Sequence, residues 1–331
     1  MRALRIAAWA AVAAIAAAST VGASAFGATS AGNPPPTNKI VIGYIDHIDS
    51  IPFVQLVRKS IQAEAAKDGV KVIVCYPNGD AQKTVNCAAQ FKAQHVYGII
   101  SFNPVAAAAA RACAAGPKVP VIAIDIQQMP CQTMFFGANN TAAGVLAGSA
   151  LGSWAKATLN CKVDAFVLMD DPAVGIVDTE RMQGQLHGYE SVCGKPPKIT
   201  YVNGQGTLDT AIQPATDELT RLTGDHHIMV VSLNDDMDEG MIKAAQASNR
   251  LNDIYVAGQG ADPTSWPFIC GKTPFKHWIA DTAYFPELYG SHVVPAMISL
   301  IEGQPQPKVL YTNHRIVTPQ NIRSIYPNAC K

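Results

Sequence analysis

The chain has 331 residues, of which 48% are hydrophobic, and its 25 lysines and arginines balance 25 aspartates and glutamates. That length can bury two separate cores, and that composition excludes disorder as the default state. Balanced charge without a basic run leaves no electrostatic footprint for nucleic acid or an anionic membrane surface, so we expect no nucleic-acid partner.

Residues 1–25 have the pattern of a secretory signal peptide. Two arginines precede an apolar stretch, and an Ala-Ser-Ala sequence before Phe26 has the small residues that a signal peptidase accepts. A membrane anchor is the alternative, but the apolar stretch is shorter than the roughly 20 residues of a spanning helix. Residues 26–38, with the Pro-Pro-Pro run, are predicted to be a linker. We therefore expect a periplasmic or secreted chain after signal-peptide cleavage.

From residue 39 the sequence alternates between apolar strand patterns and helical patterns. Strands are predicted at 39–45, 70–76, 96–102, 119–125, 134–138, 164–170, 198–204, 227–233, 253–259, 279–284 and 309–317. Helices are predicted at 52–67, 81–93, 104–115, 141–157, 179–193, 208–222, 237–249 and 286–302. Strands that are apolar on both faces, joined by long crossovers, indicate parallel sheets covered by helices on both sides. A break near 137–141 divides the alternation, so we expect two Rossmann-like α/β lobes.

All eight cysteines lie after the predicted signal peptide. They are Cys75, Cys87, Cys113, Cys131, Cys161, Cys193, Cys270 and Cys330. In an oxidising compartment an even number of cysteines indicates disulfide bonds. The sequence leaves their connectivity open: pairing in sequential order would close short loops at about 2–4 kcal/mol of stabilisation each, whereas the alternative is that several are buried thiols. No C-x-x-C spacing is present, which argues against a zinc or redox site, and we expect no metal.

Polar residues follow the predicted strands. Since ligands of open α/β sheets bind beyond the carboxyl ends of the strands, these residues are the candidates for a binding site. They are His47, Asp49, Ser50, Asn103, Asp125, Gln127, Asn139, Asn140, Asp170, Asp171, Asn203, Asn234, Asp235, Gln259 and Asp262. Their donors and acceptors suit vicinal hydroxyls, and a cleft lined with them and with aromatic rings suits a polyhydroxylated ligand.

Several short motifs occur in a characteristic order. They are Pro52-Phe53 opening a helix, Asn103-Pro104, the strand Val121–Asp125, Gly137-Ala138-Asn139-Asn140, Arg181-x-x-Gly184, Asn234-Asp235 and Gly258-x-Gly260. Together they resemble the periplasmic sugar-binding proteins of ABC transporters, of the ribose- and galactose-binding group, whose fold is shared with lac-repressor-type regulators. The resemblance covers about residues 39–318.

The resemblance implies two lobes joined by three hinge crossings, near 138–141, 281–285 and 306–310, with the ligand in the cleft between them. It predicts an N-terminal lobe and a C-terminal lobe, at 39–139 with 283–307 and at 140–282 with 308–331. It further implies a monomer that captures a monosaccharide or related polyol and delivers it to a membrane permease, without catalysis and without a cofactor.

The resemblance also assigns ligand contacts. Phe53 would stack on the sugar ring, and hydroxyls would bond to Asp125, Asn139 or Asn140, Arg181 and Asn234. The predicted set is completed by Asn103, Asp235, Gln259, Asp262 and Tyr284.

The chain departs from the pattern of its relatives at four positions. Ile126 stands where relatives often have Arg, and Val54 replaces a second aromatic residue. The acid that usually ends the last strand of the C-terminal lobe is displaced to Asp262, and a hinge Gln is Tyr284. These departures leave the sugar unidentified.

The segment VVSLNDDMDEG can be interpreted more simply as the start of a helix than as a ligand-binding segment. Asn234 is a good N-cap, worth about 1 kcal/mol, and acids in the first turn suit the positive end of the helix dipole. Because the segment follows a strand, we expect Asn234 or Asp235 to contact ligand. Asp236, Asp238 and Glu239 are expected to form a solvated helix start.

Two other functions are compatible with an exported chain of this kind. One is a glycosidase, which would need two carboxylates about 5–9.5 Å apart, although no sequence feature selects such a pair. The other is a ligand-binding subunit for a chemoreceptor or a sensor kinase. A regulator of the same fold would need a helix-turn-helix motif before residue 39, and that stretch carries the export pattern instead.

Overall fold

The computed structural model describes residues 34–331, so the predicted signal peptide and most of the predicted linker lie outside the described residues. Within that range, none of the helices has the length and apolar character needed to cross a bilayer.

The strands and helices follow the predicted alternation closely. The strands are β1 Val41–Ile45, β2 Lys71–Cys75, β3 Gly98–Ser101, β4 Val121–Ile124, β5 Met134–Gly137, β6 Ala165–Asp170, β7 Ile199–Asn203, β8 Ile228–Ser232, β9 Ile254–Gly260, β10 Trp278–Ala283, β11 Val309–Tyr311 and β12 Arg315–Val317. The helices are α1 Pro52–Lys67, α2 Ala81–Ala93, α3 Ala109–Ala115, α4 Asn140–Leu159, α5 Ile176–Cys193, α6 Leu208–Arg221, α7 Asp235–Ala247, α8 Trp266–Ile269, α9 Tyr289–Ile301 and α10 Ile322–Ile325.

The strands form two six-stranded sheets with the same order. The first runs β2-β1-β3-β4-β5-β11 and the second β7-β6-β8-β9-β10-β12. Neighbouring strands are parallel, except that β12 runs antiparallel to β10. The central strands are buried along their whole length, as parallel strands covered by helices should be. The predicted pair of Rossmann-like α/β lobes is confirmed.

The C-terminal segment differs from its prediction. Residues 309–317 were expected to form one strand, but β11 pairs with β5 in the first sheet and β12 pairs with β10 in the second. The third passage between the sheets therefore lies at 312–314, later than the predicted lobe boundary at 307 and 308. His314 ties this passage to the first one, because its Nε2 accepts the Asn139 backbone N–H at 3.0 Å.

Two helices of the second lobe cross at backbone contact. A Cβ added to Gly148 in α4 would lie 1.9 Å from the carbonyl oxygen of Gln185 in α5, and one added to Gly188 would lie 2.4 Å from the Val145 carbonyl oxygen. Glycine is required at such positions because neither backbone has room to move aside. This crossing sets the position of α5 and of the side chains that α5 carries.

The eight cysteines pair in sequential order. The Cα–Cα separations are 5.8 Å for Cys75–Cys87, 5.6 Å for Cys113–Cys131, 5.4 Å for Cys161–Cys193 and 5.5 Å for Cys270–Cys330. All lie within the usual range for a disulfide. The alternative of several buried thiols is therefore wrong, and no described cysteine is free.

We expect Gly148→Ala to lower the free energy of unfolding by about 2–3 kcal/mol, because overpacking against a fixed backbone costs that much. Urea unfolding of the disulfide-intact protein measures the change. Gly224→Ala is the matched control, since a Cβ there meets no atom within 4 Å. Equal destabilisation by the two substitutions would contradict the close helix crossing.

Candidate functional site

The carboxyl ends of the strands in both sheets open onto one cavity between the lobes. Its volume is about 60 Å³. The lining residues are His47, Ile51, Phe53, Val54, Phe102, Asp125, Ile126, Asp171, Val174, Val177, Arg181, Gly206, Leu233, Asn234, Gln259, Asp262 and Tyr284. They include residues that follow β1 and β3 in one sheet and β6 and β8 in the other, which are the strands that flank the point where strand order reverses, and residues at the ends of the neighbouring strands β4 and β9. This is where ligands bind in open α/β sheets.

The structure brings most of the predicted ligand-binding residues to this cavity. Those that line it are Phe53, Asp125, Arg181, Asn234, Gln259, Asp262 and Tyr284. Those that do not are Asn103, Asn139, Asn140 and Asp235. The side chains in the cavity differ greatly in how many polar atoms they leave free.

Arg181, in α5, has the most unused hydrogen-bonding capacity. It is only 8% exposed. Its Nε donates to Asn140 Oδ1 at 2.8 Å and its Nη1 to the Leu233 carbonyl at 2.9 Å, while the guanidinium lies 4.9 Å from the centre of the Tyr284 ring. Across residues 34–331 it has no carboxylate partner within ion-pair distance. The guanidinium is thus fixed in place with N–H groups left over.

Asp125 is held by the protein itself. The Tyr289 hydroxyl donates to both of its carboxylate oxygens, at 2.9 and 3.1 Å, and the Ala138 N–H donates to Oδ1 at 3.1 Å. Burial raises the pKa of Asp125, while the charge of Arg181 and these hydrogen bonds oppose that rise. Asp125 therefore connects the end of β4 to the first passage and to α9, and both of its carboxylate oxygens are engaged.

Tyr284 and Gln259 form a buried pair at the second passage between the sheets. The Tyr284 hydroxyl donates to Gln259 Oε1. Gln259 is 1% exposed, and its Nε2 has no partner. Burial raises the pKa of Tyr284 above its usual range, so its hydroxyl remains a donor. The pair therefore offers the cavity an amide N–H₂ group that no other side chain satisfies.

Asn234 and Asn139 are helix caps. Asn234 Oδ1 accepts the Met237 N–H at 3.1 Å, and its Nδ2 donates to the Gly206 carbonyl at 2.9 Å. Asn139 Oδ1 accepts the Ala142 N–H at 3.1 Å. The cap reading of VVSLNDDMDEG is confirmed, and Asn234 lines the cavity with its polar atoms already engaged.

Asn140 and Asn103 support the cavity from behind. Asn140 orients Arg181 by accepting from its Nε. Asn103 is fully buried, accepting from Thr84 Oγ1 at 3.2 Å and donating to Gln128 Oε1 at 3.2 Å. It joins α2 to the loop after β4, which contains Gln128.

The first turn of α7 is buried, so the expectation that Asp236 and Asp238 form a solvated helix start is wrong. Asp238 is 0% exposed and Ser232 Oγ donates to its Oδ1 at 2.5 Å. Asp235 Oδ2 accepts the Asp262 N–H at 3.1 Å, and the Asp281 carboxyl lies beside the Asp235 carboxyl. The loop after β9 folds over this helix start and excludes water from it.

Burial controls the ionisation of these carboxyls. It raises the pKa of Asp236 to about 8 and the pKa of Asp238 well above its usual range. Asp235 and Asp281 repel each other when both are charged, which adds to the effect of burial and raises the pKa of Asp235 further. A proton on either carboxyl removes this repulsion. No group of three or more His, Cys, Asp or Glu in the described chain could hold a metal ion.

Several lining residues were missed by the sequence analysis. The aliphatic and aromatic residues Ile51, Phe102, Val174, Val177 and Leu233 were not proposed because they carry no polar side-chain group, and Val54 and Ile126 were named only as departures from the pattern of relatives. His47 was noted after β1 but not assigned to the ligand. Its Nδ1 is buried without a partner, and burial together with the charge of Arg181 lowers its pKa to about 3, so the ring is neutral.

A larger groove, of about 620 Å³, lies between the start of α1 and the outer face of α7. Asp236, Lys243 and Phe275 are among its lining residues. Among the described residues, Ser50 and Pro52 are its only lining residues from the first lobe, and neither Asp125 nor Arg181 lines it, so the ends of β3 and β4 contribute nothing to this groove.

The comparisons with known proteins agree with this architecture. A family model described as the periplasmic binding protein domain matches residues 42–305. No protein of curated function matches the sequence.

Solved structures share the fold at low sequence identity. A solute-binding protein of an ABC transporter from Actinobacillus succinogenes 130z, with bound D-allose, is 17% identical, with a TM-score of 0.72 over 86% of this chain and 100% of that one. A Mycobacterium smegmatis protein in complex with β-D-fucofuranose is 18% identical, with a TM-score of 0.74 over 87% and 94%. A Caulobacter myo-inositol binding protein, bound to myo-inositol, is 22% identical, with a TM-score of 0.71 over 88% and 97%.

We expect the free energy of unfolding to fall as pH rises from 6.5 to 8. In the unfolded chain the aspartates have a pKa of about 3.9, so over this range the folded state binds more protons than the unfolded state. Each carboxyl that stays protonated in the folded state lowers the free energy of unfolding by up to about 1.4 kcal/mol per pH unit. His47, whose folded pKa is lowered, affects stability only below its unfolded pKa.

Asp238→Asn should flatten this slope and raise stability at pH 8, because a neutral amide keeps the Ser232 bond without a buried charge. Urea unfolding at several pH values measures the slope. Asp217→Asn, at an exposed position of α6, is the control and should leave the slope unchanged. Parallel pH profiles for both variants and the parent protein would disprove the assignment.

Proposed function

Because the chain belongs to the periplasmic binding protein domain family, we propose that it is an exported solute-binding protein that captures a monosaccharide or related polyol between its lobes. The main support for this proposal is the hydrogen bonding of the buried Arg181 guanidinium. A buried guanidinium that is fixed by two hydrogen bonds and keeps free N–H groups suits adjacent hydroxyls, because its planar fork presents two donors side by side.

Other cavity residues add to this recognition. Gln259 Nε2 is a buried donor without a protein partner. Phe53 and Tyr284 place aromatic rings 6.1 Å apart at the cavity, and ring faces pack well on the C–H face of a sugar. A micromolar dissociation constant corresponds to about −8 kcal/mol. Charge-assisted hydrogen bonds contribute about 1.5–3 kcal/mol each, so a few of them and one packed ring supply that affinity after ordering costs.

Ligand entry requires the lobes to part. The cavity of about 60 Å³ holds a few water molecules and is too small for a monosaccharide without movement. Three short passages join the sheets, at 138–139, 284–288 and 312–314. A rotation at three such connections opens and closes two rigid lobes around a ligand.

Export and delivery complete the proposed function. Four disulfides fit an oxidising compartment, and the sequence before residue 26 has a secretory pattern. Structural neighbours with bound sugars or inositol are described as components of ABC transporters. The partner of this chain is then a membrane permease, and the chain acts as a monomer.

We expect one or more sugars or polyols to raise the thermal stability of residues 26–331. A ligand at a thousand times its dissociation constant stabilises the folded state by about 4 kcal/mol. The protein is stripped of ligand by unfolding and refolding with its disulfides intact, then screened by thermal unfolding against pentoses, hexoses, deoxy sugars, inositols and linear polyols. Amino acids and nucleosides serve as controls, and a shift with those alone would overturn the proposal.

Arg181→Lys should weaken binding of the best ligand roughly 10- to 100-fold, because lysine keeps the charge but loses the planar fork. Isothermal titration calorimetry measures the change. Arg250→Lys is the matched control: Arg250 also donates to main-chain carbonyls, but it precedes β9, at the opposite end of the strands. The proposal fails if both variants bind as the parent protein does.

A further inference from the structure

The two walls of the cavity differ in chemistry. Residues of the first lobe form one wall, in which the apolar side chains are Ile51, Phe53, Val54, Phe102 and Ile126. All but Phe53 are nearly or fully buried. Ile51, Val54, Phe102 and Ile126 belong to one hydrophobic cluster, against which Phe53 packs, so apolar side chains extend from the segment after β1, across the start of α1, to the ends of β3 and β4.

The polar side chains of this apolar wall offer little to a ligand. Asp125 already accepts from two donors, the Tyr289 hydroxyl, whose one proton is shared between both carboxylate oxygens, and the Ala138 N–H. His47 is a neutral ring packed on Phe102 at a centroid distance of 4.7 Å. A ligand hydroxyl placed against this wall would lose its bonds to water, and the only side chains of the wall that could replace them are His47 and the already engaged Asp125.

The opposite wall contains Val174, Val177 and Leu233 but carries most of the polar side chains of the cavity. Arg181 keeps free N–H groups on its guanidinium, and Gln259 Nε2 has no partner. Asp262 and Asp171 add carboxylates, each of which accepts one local backbone N–H through Oδ1. Donors and acceptors for several hydroxyls are therefore concentrated on the side of the second lobe.

We propose that the ligand is a deoxy sugar, with its hydroxyl-bearing edge against the second lobe and its methyl or methylene group against the apolar wall. This inference rests on the proposed function and narrows it to one class of sugar. Burying an unbonded hydroxyl is costly, whereas burying a methyl group is favourable. An apolar pocket rejects an otherwise equal ligand that carries one more hydroxyl by about 100-fold.

Calorimetric titration of matched sugar pairs tests the inference. The pairs are D-galactose with D-fucose, L-galactose with L-fucose, L-mannose with L-rhamnose, D-glucose with 6-deoxy-D-glucose and with 2-deoxy-D-glucose, and D-ribose with its 2-deoxy and 5-deoxy forms. For the tightest-binding pair, the deoxy member should bind about 10- to 100-fold more tightly than its parent. A parent sugar that binds more tightly than every deoxy form would overturn the inference and leave the proposed function standing. If neither these sugars nor any polyol binds, both fail.

Substitutions in the apolar wall give an independent test. Ile51→Thr, Val54→Thr and Ile126→Thr each add one hydroxyl to the wall, and at least one of them should reduce the preference for the deoxy sugar about tenfold or more. Val57→Thr is the matched control, because Val57 is equally buried in α1 but does not line the cavity. Thermal unfolding confirms that each variant is folded. An unchanged preference in all three wall variants would overturn the inference.

Discussion

The parallel pairing of the strands is the constraint on which the rest of the structure depends. Because neighbouring parallel strands end at the same edge of a sheet, the residues that follow β1, β3 and β4 collect at one place, and those that follow β6, β8 and β9 collect at another. The three passages of the chain hold these two edges against each other. As a result, the strand ends of the first sheet form one wall of the cavity and those of the second sheet form the opposite wall.

Packing in the second lobe positions the group on which recognition depends. Glycines at the crossing of α4 and α5 let the two backbones touch, and a Cβ on Gly144 would lie 2.7 Å from the carbonyl oxygen of Arg181 itself. Asn140, at the start of α4, then fixes the Arg181 side chain from the same helix pair. The position of the Arg181 guanidinium therefore depends on the helix crossing, because moving α5 by the width of a methyl group would also move the guanidinium.

The alternation of elements could be predicted from sequence because buried parallel strands leave an unbroken apolar run, which few other structures produce. The split of residues 309–317 could not, because β11 and β12 are short and partly exposed and the turn between them lacks glycine and proline. The burial of Asp236 and Asp238 was not predicted because acids at a helix start give the same sequence pattern whether water or a loop covers them. The apolar wall could not be predicted because residues such as Ile51 and Phe102 are indistinguishable from core residues until the lobes face each other, and Val54 and Ile126 were identified only as departures from the pattern of relatives.

A crystal structure of the protein with the tightest-binding sugar or polyol from a thermal screen would show directly where the ligand binds. We expect it between the lobes, with hydroxyls within hydrogen-bond distance of Arg181 and Gln259 and with its least polar edge on Phe53, Val54 and Ile126. A ligand bound instead in the larger groove beside Lys243 and Phe275, with Arg181 still hydrogen-bonded only to Asn140 and Leu233, would contradict a binding site between the lobes.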